Sequence, residues 1–86
     1  MTRDEIRQAV LRILGQVAPE ADLEGIDPGR SMQEQFDLDS MDFLNFVSGI
    51  QQEISVDVPE RDYPKIETLD ACIDYIFAAL ATATEA

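Results

Sequence analysis

Apolar residues recur at three- and four-residue steps in three separate stretches, and this spacing most constrains what the chain can fold into. In the first stretch Ile6, Val10, Ile13, Leu14 and Val17 share one helix face, with Arg3, Arg7 and Arg12 between them. Thr2 followed by Glu5 has the spacing of a capping box, and Pro19 blocks extension. An amphipathic helix is predicted over about residues 2–17. The second stretch begins at Asp39 or Ser40, both good N-cap types, and runs to about Ile54. Val56, Val58 and Pro59 then signal extended chain. In the third, Thr68 is the expected cap for a helix carrying Leu69, Cys72, Ile73, Ile76, Phe77 and Leu80, with residues 81–86 expected to fray.

The connections carry the breakers. Residues 18–38 contain Ala18-Pro19, Gly25 and Pro28-Gly29, and read as a long loop. Leu23, Ile26, Met32, Phe36 and Leu38 should hold it down on the core. A loop of that length is often functional. A short turn of helix is expected over residues 60–63, before Pro64. No stretch alternates with the period of a strand. The predicted fold is therefore all-α: a small four-helix bundle with three main helices, one short helix and a long loop between helices one and two. Residues 1–86 are read as a single domain.

Nothing staples this bundle. The 86 residues include one cysteine and no histidine, which rules out an internal disulfide and the usual zinc ligand sets. The core must come from helix packing. Eighteen acidic residues face six basic ones, a formal net charge of −12. Such a chain repels nucleic acid and anionic membrane surfaces, and its natural partners are basic or mixed protein surfaces. No apolar run approaches the roughly 20 residues that span a bilayer. The charged start, Met1-Thr2-Arg3-Asp4-Glu5, lacks the apolar segment of a signal peptide, so a cytoplasmic monomer is expected.

The side-chain inventory argues against catalysis. A hydrolytic triad lacks its usual base, and a helical bundle this small rarely offers a cleft around paired carboxylates. Calcium fits no better. Counting an EF-hand loop from Asp37 puts Met41 at position 5, Asp42 at position 6 and Ser48 at position 12, where an acid or amide, glycine and glutamate are needed. No metal site is predicted. Ser40 stands between two aspartates where a loop becomes a helix. It can be a capping serine, or it can carry a phosphate, since a helix start attracts anions.

The segment Asp39-Ser40-Met41-Asp42, followed by Phe43-Leu44, resembles the Asp-Ser-Leu attachment motif of acyl carrier proteins. Val58-Pro59-Glu60, Asp62, Lys65-Ile66, Thr68 and Asp74-Tyr75-Ile76 fall at that family's spacing, so the resemblance covers nearly the whole chain. It implies a free-standing carrier, acted on by enzymes. Ser40 would receive 4′-phosphopantetheine from coenzyme A through a phosphopantetheinyl transferase. The arm would hold acyl intermediates as thioesters for acyl-loading and acyl-processing enzymes of fatty acid, polyketide or related biosynthesis. The bundle would shelter the acyl chain between helices. Asp39 and Asp42 resemble the acids that the transferase recognises. The alternative is an acidic helical adaptor in which Ser40 is only a helix cap.

On a helical wheel Phe43, Leu44, Phe46, Val47, Ile50 and Ile54 form a core arc. Met41, Asn45, Ser48 and Gln52 lie roughly opposite. By resemblance Met41 meets partner enzymes, and Asn45, Ser48 and Gln52 extend that partner face. Asn45, Gln51 and Gln52 stand where housekeeping fatty-acid carriers hold glutamates, which points to a specialised carrier with dedicated enzymes. Asp37 stands where the family commonly has glycine, at a turn whose left-handed backbone Asp tolerates. Phe46 and Gly49 depart in bulk from the usual residues, which reshapes the acyl shelter. The Gly-Gly-His/Asp-Ser pattern of peptidyl carriers is absent. Cys72 is read as a small core residue, Tyr75 as a stripe-edge hydroxyl seeking a partner, and Phe36 as a loop anchor. Arg61 and Lys65 are expected to balance local acids.

Overall fold

A computed structural model describes residues 1–85, with side chains through Thr82. Helix α1 (Arg3–Val17) is opened by the reciprocal Thr2–Glu5 capping box and ends at Ala18, one residue before Pro19. Helix α2 (Met32–Gln35) is a single turn inside the long loop, capped by Ser31. Helix α3 (Ser40–Ile54) and helix α4 (Leu69–Glu85) complete the set. Short 3₁₀ segments occupy Leu23–Gly25 and Glu60–Ile66. No strand occurs among the described residues, only a one-residue bridge between Ser31 and Thr68.

Helix α1 packs against both α3 and α4, and α4 also holds the Glu60–Ile66 segment. Their facing residues make one apolar core. Ile6, Val10, Leu14, Ile50, Ile66, Leu69, Cys72 and Ile76 are fully excluded from solvent, and no polar side chain is buried with them among the described residues. Gly49 is what lets α1 and α3 close. A Cβ built there would lie 2.6 Å from Ile13 Cγ2.

The long loop is fastened along its second half. Met32 N donates to Glu67 O at 2.8 Å, and Asp70 N to Pro28 O at 3.1 Å, so the loop is sewn to the start of α4. The Gln35 amide holds the turn at Asp27 from both sides. Leu23, Phe36 and Leu38 pack on the core as the spacing predicts.

Five expectations need correction. The loop over residues 18–38 carries a helical turn of its own, Met32–Gln35, because the Ser31 side chain caps it. The segment after Pro59 runs through Pro64 to Ile66, because a ring locked near φ −65° suits a 3₁₀ turn as well as it ends an α-helix. Helix α4 continues past Leu80 to Glu85, since alanines favour the helix; Ala86 lies outside the described residues. Leu44 is 44% exposed and leaves the core arc. Phe77 is 37% exposed, and the Arg3 guanidinium covers its ring 4.7 Å from the centroid while pairing with Asp74. No helix among the described residues is long and apolar enough to cross a membrane.

Candidate functional site

The start of α3 is built by two aspartates. Asp42 N donates to Asp39 Oδ1 at 2.8 Å, and Asp39 N donates to Asp42 Oδ2 at 3.3 Å. Asp39 is the N-cap, in extended backbone, and Ser40 is the first helical residue. Of the two N-cap candidates, Asp39 takes the role and Ser40 does not. The Ser40 side chain is exposed. Its amide and that of Met41 belong to the first turn, where no intrahelical acceptor exists and the helix dipole favours an anion. The turn leading in is set by Asp37, held at φ 54°, so the left-handed conformation persists without glycine.

Beside Ser40 lies an open groove of about 330 Å³ between α3, the end of the loop and the Glu60–Ile66 segment. Gln33, Leu44, Glu60, Pro64 and Glu67 form its walls with Phe43 and Tyr63. The correction at Leu44 has its reason here: its side chain faces this groove instead of α1. The two rings meet edge to face, centroids 5.2 Å apart at 70°. An exposed serine at a helix start, bordered by an open groove, fits a phosphodiester with a long substituent.

The predicted partner residues are distributed around the serine. Met41 is 65% exposed and stands next to it. Asn45, Ser48 and Gln52 are exposed along a shallow cleft against Ile13, Gln16 and Val17 of α1. Asp42 turns away from the groove toward the cleft formed by the loop, with Asp37 and Leu38. Glu53, at the border of the outer face, is taken up by Arg12 at 3.2 Å. The exposed face of α3 beyond its first turn therefore offers amides and a hydroxyl, not free acids.

The groove's far wall was not legible from spacing. Tyr63 and Pro64 carry no motif, and only the return of the segment against α3 brings them to Ser40. That segment is latched. The Tyr75 hydroxyl donates to Asp62 Oδ2 at 2.7 Å, and Lys65 pairs with Asp62 at 3.3 Å. The Tyr75 bond, then Lys65, hold the Asp62 carboxyl below its ordinary range, and the same bond raises the Tyr75 phenol. Cys72 is buried in the core, and burial pushes its thiol up to about 12.

Residues 4–76 match the family model described as a phosphopantetheine attachment site. An acyl carrier protein of Rubrobacter xylanophilus is 27% identical over 81 residues, which cover 88% of this chain and 93% of that protein. The mitochondrial acyl carrier protein of Neurospora crassa is 24% identical over 78 residues, 91% of this chain, and the match spans 58% of that relative's length. The solved structure of the acyl carrier protein from Enterococcus faecalis has a TM-score of 0.77 and 26% identity, over 92% of this chain and 99% of that one.

Proposed function

The chain belongs to the phosphopantetheine-attachment family of acyl carrier proteins, and on that premise we propose that Ser40 is the residue that receives the arm. The family's group is 4′-phosphopantetheine, and its members are carriers acted on by enzymes. When attached, the group supplies a terminal thiol that holds acyl units as thioesters. The observation that carries the assignment is the division of labour at the start of α3. Asp39 makes the cap, which leaves the exposed Ser40 hydroxyl available for chemistry. In the transfer, Ser40 Oγ forms a phosphodiester, the pyrophosphate bond of coenzyme A breaks and adenosine 3′,5′-bisphosphate leaves. The hydroxyl proton passes to a base brought by the transferase. The first-turn amides of α3 lie where they favour the new phosphate.

The family match favours the carrier over the adaptor reading, and the cap which that reading gave to Ser40 is made by Asp39. Partner enzymes, the transferase included, meet Met41 beside the serine, with Asn45, Ser48 and Gln52 behind it, and Asp39 and Asp42 add the acids that the transferase recognises. The neutral outer face supports a specialised carrier with its own acyl-loading and acyl-processing enzymes. The test is the intact mass after incubation with coenzyme A and a broad-specificity phosphopantetheinyl transferase, alongside Ser40→Ala. A gain of one phosphopantetheine in the parent and none in the variant is expected. A gain that survives the substitution, or no gain with several transferases, removes Ser40 from the role.

A further inference from the structure

The groove between α3 and the Glu60–Ile66 segment borders Ser40, and rings close it toward the core. Phe43 is 6% exposed and forms the inner wall of the groove. Tyr63 meets it edge to face, and Phe43 in turn tilts against Phe46 at 6.3 Å. Phe46 is 1% exposed, and Ile50, Ile66 and Ile76 lie fully buried in the same core. The three rings run without a break from the groove to the centre of the bundle. Moving Tyr63 aside is opposed by the fastening of its segment, through Tyr75 and Lys65 on Asp62 and through buried Ile66. Outside the rings, the groove gives a cargo only Leu44 and Pro64 as apolar surface. Gln33, Glu60 and Glu67 make the rest of the wall polar.

We propose that the Phe43–Tyr63 ring pair bars long aliphatic chains from the interior and makes this a carrier of short acyl groups, held in the open groove beside Ser40. This rests on the Ser40 reading and deepens it by naming the cargo class. A short acyl group can lie on Leu44 and Pro64. A long one gains no further shelter, because beyond the groove its methylenes would pass into water.

The experiment loads the full chain with acetyl-, butyryl-, octanoyl- and dodecanoyl-phosphopantetheine from the corresponding coenzyme A thioesters. It then follows thioester cleavage by hydroxylamine. Rates within about twofold of one another across the series are expected. In Phe43→Leu with Tyr63→Ala, the dodecanoyl thioester should be cleaved about tenfold more slowly than the acetyl one, as burial of a few methylenes implies. Protection of that size in the parent protein overturns the proposal, as does a flat series in a folded double variant. A second readout needs no variant. Proton NMR of the dodecanoyl form should show no contact between the acyl methylenes and Ile50 or Ile76, and such contacts would overturn it. Failure of any cargo to load at Ser40 shows itself as a missing mass gain, which sinks the carrier site and this inference together. Loading followed by protection sinks this inference alone.

Discussion

Asp39 and Asp42 each accept the other's backbone N–H across the first turn of α3, so the residue between them that bears a hydroxyl has no part in holding the helix. Ser40→Ala should therefore cost less than about 0.5 kcal/mol, the range of an exposed substitution without structural duty. Asp39→Ala should cost about 1 kcal/mol, through loss of the cap. Urea unfolding of the two variants separates them. Equal losses would mean that Ser40 shares the cap.

At Gly49 two effects of opposite sign compete. Alanine favours a helix interior over glycine by about 1 kcal/mol. The added methyl, however, would sit 2.6 Å from Ile13 Cγ2, and Ile13 is a core residue only 1% exposed. Overpacking of this kind costs about 1–3 kcal/mol, so Gly49→Ala is expected to be net destabilising. Its penalty should shrink in an Ile13→Ala background, which removes the clashing atom. A double-mutant cycle by chemical denaturation measures this, and a stabilising Gly49→Ala would refute the close approach of α1 and α3.

The Tyr75–Asp62 bond should shape both ends of the stability profile. The folded Asp62 carboxyl is held low by Tyr75 first and Lys65 after it, so its contribution is present above the ordinary carboxylate range, about pH 4, and is lost as pH falls through the lowered value. The folded Tyr75 phenol is raised, chiefly by the same bond, so its contribution is present below about pH 10 and is lost as pH rises through the raised value. Tyr75→Phe should lower the melting temperature at neutral pH and flatten both limbs. Thermal melts across pH check it, and limbs of unchanged steepness would show that the bond does not couple to folding.

Much of this fold is legible in the apolar spacing, and the reasons for the remainder are physical. The Thr2–Glu5 box, the stop before Pro19, the Thr68 cap and the burial of Ile6, Val10, Ile50 and Ile76 are local or periodic signals, and each is realised. Leu44 and Phe77 keep helical spacing yet stand partly in solvent, because a wheel gives a direction and not what lies there. Groove space meets the first, and the Arg3 guanidinium meets the second. The pairing of Phe43 with Tyr63 joins residues from separate elements, and no pattern in one segment carries it. Ser40 is marked by its motif and Asp39 is a cap candidate by residue type, but which of the two caps the helix is decided by the hydrogen bonds.

The outer face of α3 yields a prediction about selectivity. With Asn45, Ser48 and Gln52 exposed and Glu53 engaged by Arg12, basic enzyme surfaces find few free acids there. Ordinary fatty-acid synthase enzymes should elongate the loaded protein about tenfold less efficiently than their usual carrier, equivalent to about 1.4 kcal/mol of lost docking. Asn45→Glu with Gln52→Glu should narrow the gap and make the rate more sensitive to salt. Equal efficiency for the parent protein would end the case for dedicated enzymes.

Because Met41 is 65% exposed, Met41→Ala should leave the melting temperature unchanged. Loss of an apolar anchor at a docking surface is worth about 1–2 kcal/mol, so transferase kcat/KM should fall about tenfold. Steady-state loading kinetics decide this, and an unaffected rate would take Met41 out of the contact.

Cys72 lies wholly inside the core, with its thiol pushed up to about 12, in a chain that has no other cysteine. A cargo attached as a thioester outside the fold therefore meets no accessible cysteine thiol on the folded chain to exchange with. Thiol-to-thiol exchange along the folded carrier is thereby closed off. The same seclusion makes the unmodified chain invisible to thiol-directed dyes while folded. Any colour such a dye develops would count arms alone, and an unloaded sample that stained would reveal that its core had come open.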